Sequence, residues 1–182
     1  MRIASLILAC VLLGACAPSN QEVRLAKAAE YDPREYAAVY EACKAAMVES
    51  GYEIAGEDLE HGILVSSWRW YTKEGTAKRK EAPKVENGAT MFRIAVELAR
   101  GPKGGLVVHV DGGAQGYSTG SPVLREFKHD DPEEPTWVEG KIDNLAVGIH
   151  TKLSQFELHA SVPGATPAAP ATPAPATPAP AN

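Results

Sequence analysis

Histidine is the residue most often recruited for acid–base work or metal binding near neutral pH, and this chain has five: His61, His109, His129, His150 and His159. None belongs to a His-x-x-His or His-Glu-x-x-His pair. Of the cysteines Cys10, Cys16 and Cys43, only Cys43 lies far from the N-terminus, so the spacing of a zinc site is missing. His109 and Asp111 stand two apart, as on one face of a strand, and could be joined by His61. Exposed polar positions on a half-solvated sheet account for them equally well. The glycine-rich run 111–122, DGGAQGYSTGSP, lacks the lysine of a P-loop. No helix starts directly after it to hold a phosphate, so it reads as a mobile loop. Ser118 and Ser121 lie outside any Gly-x-Ser-x-Gly elbow. The acidic run 129–135, HDDPEEP, lacks the EF-hand spacing that would gather calcium ligands, and reads as a solvated turn. With no nucleophile–base pair and no cofactor motif, the expectation is a protein that is not an enzyme, with no catalytic residue, cofactor or metal.

Contact chemistry is better represented. Lys78, Arg79 and Lys80, with Lys84, form a basic loop. Near an anionic surface each basic residue contributes about 1 kcal/mol, but Glu74, Glu81 and Glu86 dilute the charge. The loop therefore reads as solvated, with contact to headgroups or an acidic partner as the sharper alternative. Trp68 and Trp70 share one side of a strand. Covered by a helix they are core; uncovered they are a binding patch. The expectation is one buried and one partly open. The net charge of −5 argues against a nucleic-acid partner.

The N-terminus reads as an address. Arg2 is followed by a short apolar run from Ile3 to Leu13, too short for the roughly 20 residues of a membrane span. Residues 1–15 are therefore a cleaved signal, excluded from the fold. Leu13-Gly14-Ala15-Cys16 resembles the bacterial lipobox. The resemblance implies that the Cys16 thiol carries a diacylglycerol, that cleavage falls before Cys16, and that the new amine is acylated. Ala17, where an inner-membrane lipoprotein tends to have aspartate, points by the same resemblance to the outer membrane, on the periplasmic side. Cys43 is then the only free thiol, so no intramolecular disulfide forms, and it should be buried.

Residues 16–30 read as a lipidated tether, with an edge strand conceivable over 21–30. Residues 160–182 read as a disordered tail rich in alanine, proline and threonine, extended at about 3.1 Å per residue. Between them, 31–159 should fold as one domain. Asp32-Pro33-Arg34-Glu35 is a helix start, and Tyr36, Tyr40, Cys43 and Met47 fall on one stripe up to Gly51. Strands follow over 51–57 and 62–71. In the second, Leu64, Trp68 and Trp70 take one side while Ile63, Val65 and Tyr71 take the other. Residues 90–99 alternate, with Phe92, Ile94, Val96 and Leu98 inward. A turn at 101–105 joins them to a strand over 106–111, and a loop spans 112–135. Thr136 and Glu139 form a capping box for a helix striped by Val138, Ile142, Leu145, Ile149, Leu153 and Phe156. The fold class is α+β: an antiparallel sheet of four to five strands with two helices on one face.

The run from Arg34 to Trp70 resembles the helix-grip modules of the outer-membrane assembly lipoprotein BamC. It has a helix ending in glycine, Gly51-Tyr52-Glu53-Ile54, an acidic turn, then Gly62-Ile63-Leu64-Val65 leading to Trp68. The resemblance covers most of 31–158 and implies one helix-grip domain in the cell envelope. The chain departs from that family in having one module rather than two, and no long N-terminal segment of the kind that lies on BamC's partner. Two functions follow as expectations. The first is an outer-membrane-anchored interaction module that contacts an envelope protein through Trp68, Trp70, the Lys78–Lys80 loop and its sheet edges, since an exposed edge can add a strand from a partner. The second is a carrier holding a lipid or other small apolar ligand between sheet and helix, near Leu64, Val96 and Leu145.

Overall fold

A computed structural model describes residues 17–77, 89–117, 121, 123–128 and 131–158. Residues 1–15, read above as a signal, Cys16, Lys78, Arg79, Lys80 and residues 160–182, read above as a tail, lie outside the described residues. The fold is α+β. Six antiparallel strands form one sheet, with helices packed on one of its faces.

Helix α1 (Asn20–Ala28) starts at a capping box: the Ser19 hydroxyl accepts from the Glu22 amide, and the Glu22 carboxylate accepts from the Ser19 amide. The edge strand conceived over 21–30 is thus a helix, and Ser19-x-x-Glu22 is the local reason. Helix α2 (Tyr36–Glu49) is entered through a short 3-10 turn, Pro33–Glu35, capped by Asp32. Tyr40, Cys43 and Met47 are buried along its stripe. Gly51 follows at φ +82°, the left-handed position that glycine tolerates best. Cys43 is fully buried, and desolvation pushes its thiol up to about 12. Helix α3 (Trp137–Leu153) buries Val138, Leu145, Ile149 and Leu153, while Phe156 falls in a following 3-10 turn. The Thr136 capping box does not form: Thr136 has helical backbone angles and its side chain caps nothing.

The strands are β1 (Ile54–Asp58), β2 (Ile63–Ser66), β3 (Arg69–Tyr71), β4 (Thr90–Arg100), β5 (Leu106–Tyr117) and β6 (Leu124–Glu126). They lie in the order β1-β2-β4-β5-β6, and β3 pairs with β4 beyond the end of β2. Phe92, Ile94, Val96 and Leu98 all face the helices, as their alternation required.

Two expectations about strands are corrected. Residues 62–71 are not one strand but β2 and β3. Strand β5 runs on through the glycine-rich stretch to Tyr117, where a loop was expected, and β6 adds a further strand. Its glycines belong there because neighbouring side chains fill their positions. A Cβ on Gly112 would lie 2.7 Å from the Phe92 ring and 2.8 Å from Ile142; one on Gly116 would lie 2.5 Å from the Phe127 ring. Glycine in a strand often marks such a close approach.

The buried carboxylate of Glu30, 4% exposed, holds the β4–β5 turn. It accepts from the amides of Lys103 (3.1 Å) and Gly105 (3.0 Å). Those bonds satisfy the charge that burial would otherwise penalise.

Candidate partner-binding face

The position of the tryptophans follows from a slip in strand register. In β2, Ile63, Leu64 and Val65 sit opposite Glu97, Val96 and Ala95. In β3, Arg69, Trp70 and Tyr71 sit opposite Phe92, Met91 and Thr90. From Val65 to Arg69 is one residue more than from Ala95 back to Phe92. One extra residue turns every later side chain to the opposite face. Leu64 therefore points to the helices, whereas Trp70 points away from them with Met91. Tyr71, expected beside Ile63 and Val65, is 4% exposed on the helix side. Ser66 stabilises the irregularity: its buried hydroxyl accepts from the Ile94 amide at 2.9 Å, replacing a backbone carbonyl.

Trp68 and Trp70 consequently stand on the same face, which no described helix covers, and both are half-buried. The expectation of one buried and one partly open is corrected. Each ring is held by a neighbour on the sheet. The Arg93 guanidinium lies 4.6 Å from the Trp68 ring centre, a cation–π contact. The Trp70 and Tyr117 rings stack, with centroids 6.2 Å apart and planes 9° from parallel. Gly113, paired with Arg93, leaves room for the Trp68 ring; a Cβ there would lie 3.4 Å from its edge. These contacts hold flat, amphipathic rings in fixed orientations, which lowers the entropy lost when a partner docks.

Alternation along β4 turns Arg93 outward, but its contact with Trp68 depends on a neighbouring strand and has no local signal. Tyr117 was missed because it falls within a run read as loop. Lys78, Arg79, Lys80 and Cys16 lie outside the described residues, so the face is defined by Trp68, Trp70, Arg93 and Tyr117.

The imagined histidine cluster does not assemble. Asp58 accepts from the His61 backbone amide at 3.0 Å and lies 2.8 Å from the His61 ring, and these bonds, the amide's first, hold its carboxyl below its usual range. Asp58 lies in register with Ile63, then Glu97, then His109, three strand spacings or about 14 Å away. His150 Nδ1 lies 3.1 Å from the Tyr31 hydroxyl. The acidic turn already has a cation of its own: Arg125 bonds Asp131 and, at 2.6 Å, Glu133. Arg125 holds the Asp131 carboxyl down at about 2. Among the described residues no group of histidine, cysteine and carboxylate is placed to hold a metal ion.

On the helix side, Phe92 packs edge to face with Tyr71 and with Trp137, and the Lys141 ammonium lies 4.8 Å from the Tyr71 ring centre. Burial lowers the Lys141 pKa from its ordinary value. No described helix is long and apolar enough to cross a membrane. Comparison with protein-family models, curated proteins and solved structures found no match for this chain.

Proposed function

We propose that this chain is a lipoprotein of the outer membrane, anchored through Cys16 and facing the periplasm, whose domain is a non-catalytic module that binds an envelope protein. The observation that carries the reading is the pair Trp68 and Trp70 on the uncovered sheet face. Aromatic rings with one apolar face and one polar handle are the commonest anchors of protein interfaces, and these two are pre-oriented by Arg93 and Tyr117. The resemblance of Arg34–Trp70 to BamC modules supports the same compartment and a structural rather than chemical task. The carrier reading needs space near Leu64, Val96 and Leu145. Each of these is at most 1% exposed, and all belong to one packed cluster. Nothing in that packing favours a ligand there.

The test is a crosslinked pull-down from membranes with the intact lipoprotein as bait, reading proteins and lipids by mass spectrometry. A stoichiometric envelope protein lost on Trp68→Ala or Trp70→Ala supports the reading. A defined lipid with no protein overturns it in favour of the carrier. Retention of Cys16→Ala in the outer membrane overturns the anchor.

A further inference from the structure

The row of backbone beside β5 is interrupted. At one end Leu106 exchanges two bonds of 2.8 Å with Tyr31; at the other, the Phe127 amide donates to Ala114 at 2.9 Å, just past β6. In an antiparallel ladder every second residue turns its N–H and C=O to the same edge. Leu106 and Ala114 turn theirs away from β4, so Val108, Val110 and Gly112 do as well. Among the described residues nothing bonds to their edge groups. The chain before Tyr31 leaves the row as helix α1, which lies against α3, tied there by Lys27 and Asp143 at 2.8 Å, and also touches β5.

A cleft of about 360 Å³ opens on this gap. Val110 and Gly112 of β5 line it on one side, and Val138 and Ile142 of α3 on another. Asp111 and Glu139 also line it, as do Lys27, whose charge Asp143 matches, and Asp131, which Arg125 matches. On the uncovered face the same stretch of β5 presents His109 and Asp111.

We propose that this gap receives an extended segment of a partner protein, about five residues or 17 Å long, in which basic residues alternate with apolar ones. The guest strand completes the row between Phe127 and Tyr31 and pairs with the edge groups of Val108, Val110 and Gly112. Its inward side chains meet Val138 and Ile142, so they are apolar. Its outward side chains stand beside Asp111, where cross-strand pairing favours lysine or arginine. The same acid repels a second copy of this edge. The proposal rests on the reading of the domain as an interaction module but uses a surface apart from Trp68 and Trp70.

The test is amide hydrogen exchange of the full chain in detergent micelles, with the end-blocked peptide Val-Lys-Val-Lys-Val as probe and Val-Glu-Val-Glu-Val as control. At ten times its dissociation constant, the lysine peptide should slow exchange at Val108, Val110 and Gly112 about tenfold. The glutamate peptide should leave it unchanged. Val110→Pro, which removes one edge donor, and Asp111→Lys, which inverts the charge, should each abolish the effect while the melting transition is retained. Trp70→Ala should leave it intact, so a failed pull-down and a failed edge are separable. The proposal is overturned if both peptides protect alike, if neither does, or if protection survives both edge variants. It is also overturned if the three amides are protected in the free chain and lose that protection on deletion of 161–182, which would make the tail the occupant.

Discussion

The two faces of the sheet come from the same strands and carry opposite chemistry. Toward the helices, β4 contributes Phe92, Ile94, Val96 and Leu98, each at most 6% exposed. Away from them, the same strand contributes Met91, Arg93, Ala95 and Glu97, none of which is buried. Along β4 this is ordinary alternation. Along the neighbouring row it is not, because the extra residue between Val65 and Arg69 exchanges the faces midway. The slip takes Tyr71 into the core and Trp68 and Trp70 out of it. Bulky aromatics that a regular strand would have buried are thereby presented to the surroundings, with Arg93 and Tyr117 on hand to orient them. A single irregularity thus separates the buried face from the face on which Trp68 and Trp70 stand.

The sharpest test of that contrast compares large-to-small changes on the two faces. Phe92→Ala should cost about 3–5 kcal/mol in urea unfolding, the range for a buried aromatic. Trp70→Ala should cost no more than about 2 kcal/mol, mainly the stacking with Tyr117 and partial burial. Equal losses would mean that Trp70 is core and that the contrast is false. The irregularity itself is probed by Ser66→Ala, which strands the buried Ile94 amide at a cost of about 1–3 kcal/mol. Quenching by added iodide should still reach Trp68 and Trp70 if the register slip survives. Smaller again, and opposite in sign, is Gly148→Ala. A Cβ there meets nothing within 4 Å, so the change should stabilise α3 by about 1 kcal/mol in the same unfolding assay. The glycines of β5 should behave in the reverse way, with Gly116→Ala lowering the melting temperature.

The smallest expected effect is on acid stability. Asp131 is held down at about 2 by Arg125. A carboxylate whose folded pKa lies below its unfolded value of about 3.8 stabilises the fold above that value, and the stabilisation is lost as pH falls toward 2. The melting temperature of the parent chain should therefore drop more steeply between pH 4 and 2 than that of Asp131→Asn. Parallel slopes would remove Arg125 and Asp131 as a source of acid sensitivity.

Much of the helix side was legible before any coordinates. The stripes of α2 and α3 and the alternation of β4 are local periodicities. A pattern that repeats along one element reports the face that element buries, whatever it packs against. Asp32 and Gly51 marked the limits of α2 for equally local reasons. Ser19-x-x-Glu22 marks the start of α1 in the same local language, although the segment's position after Cys16 suggests a tether. The Thr136 box failed in the other direction: the motif was present, but the approach of the chain to α3 already had helical angles.

What the sequence determined by itself is therefore the class of the fold, the burial of Cys43 and the inward face of β4, since each depends on neighbours a few residues away. Tertiary structure alone decided which way Trp68 and Trp70 point, that Gly112–Tyr117 is strand rather than loop, and that no described residue pairs with the edge of β5 between the partners of Tyr31 and Phe127. Those features depend on partners across the sheet: the Ser66 hydroxyl on the Ile94 amide, the Phe92 and Phe127 rings over Gly112 and Gly116, and the place where the row beside β5 stops. A strand carries no local record of its register. The register is chosen by pairing, and one residue of slip reverses the face of every residue that follows.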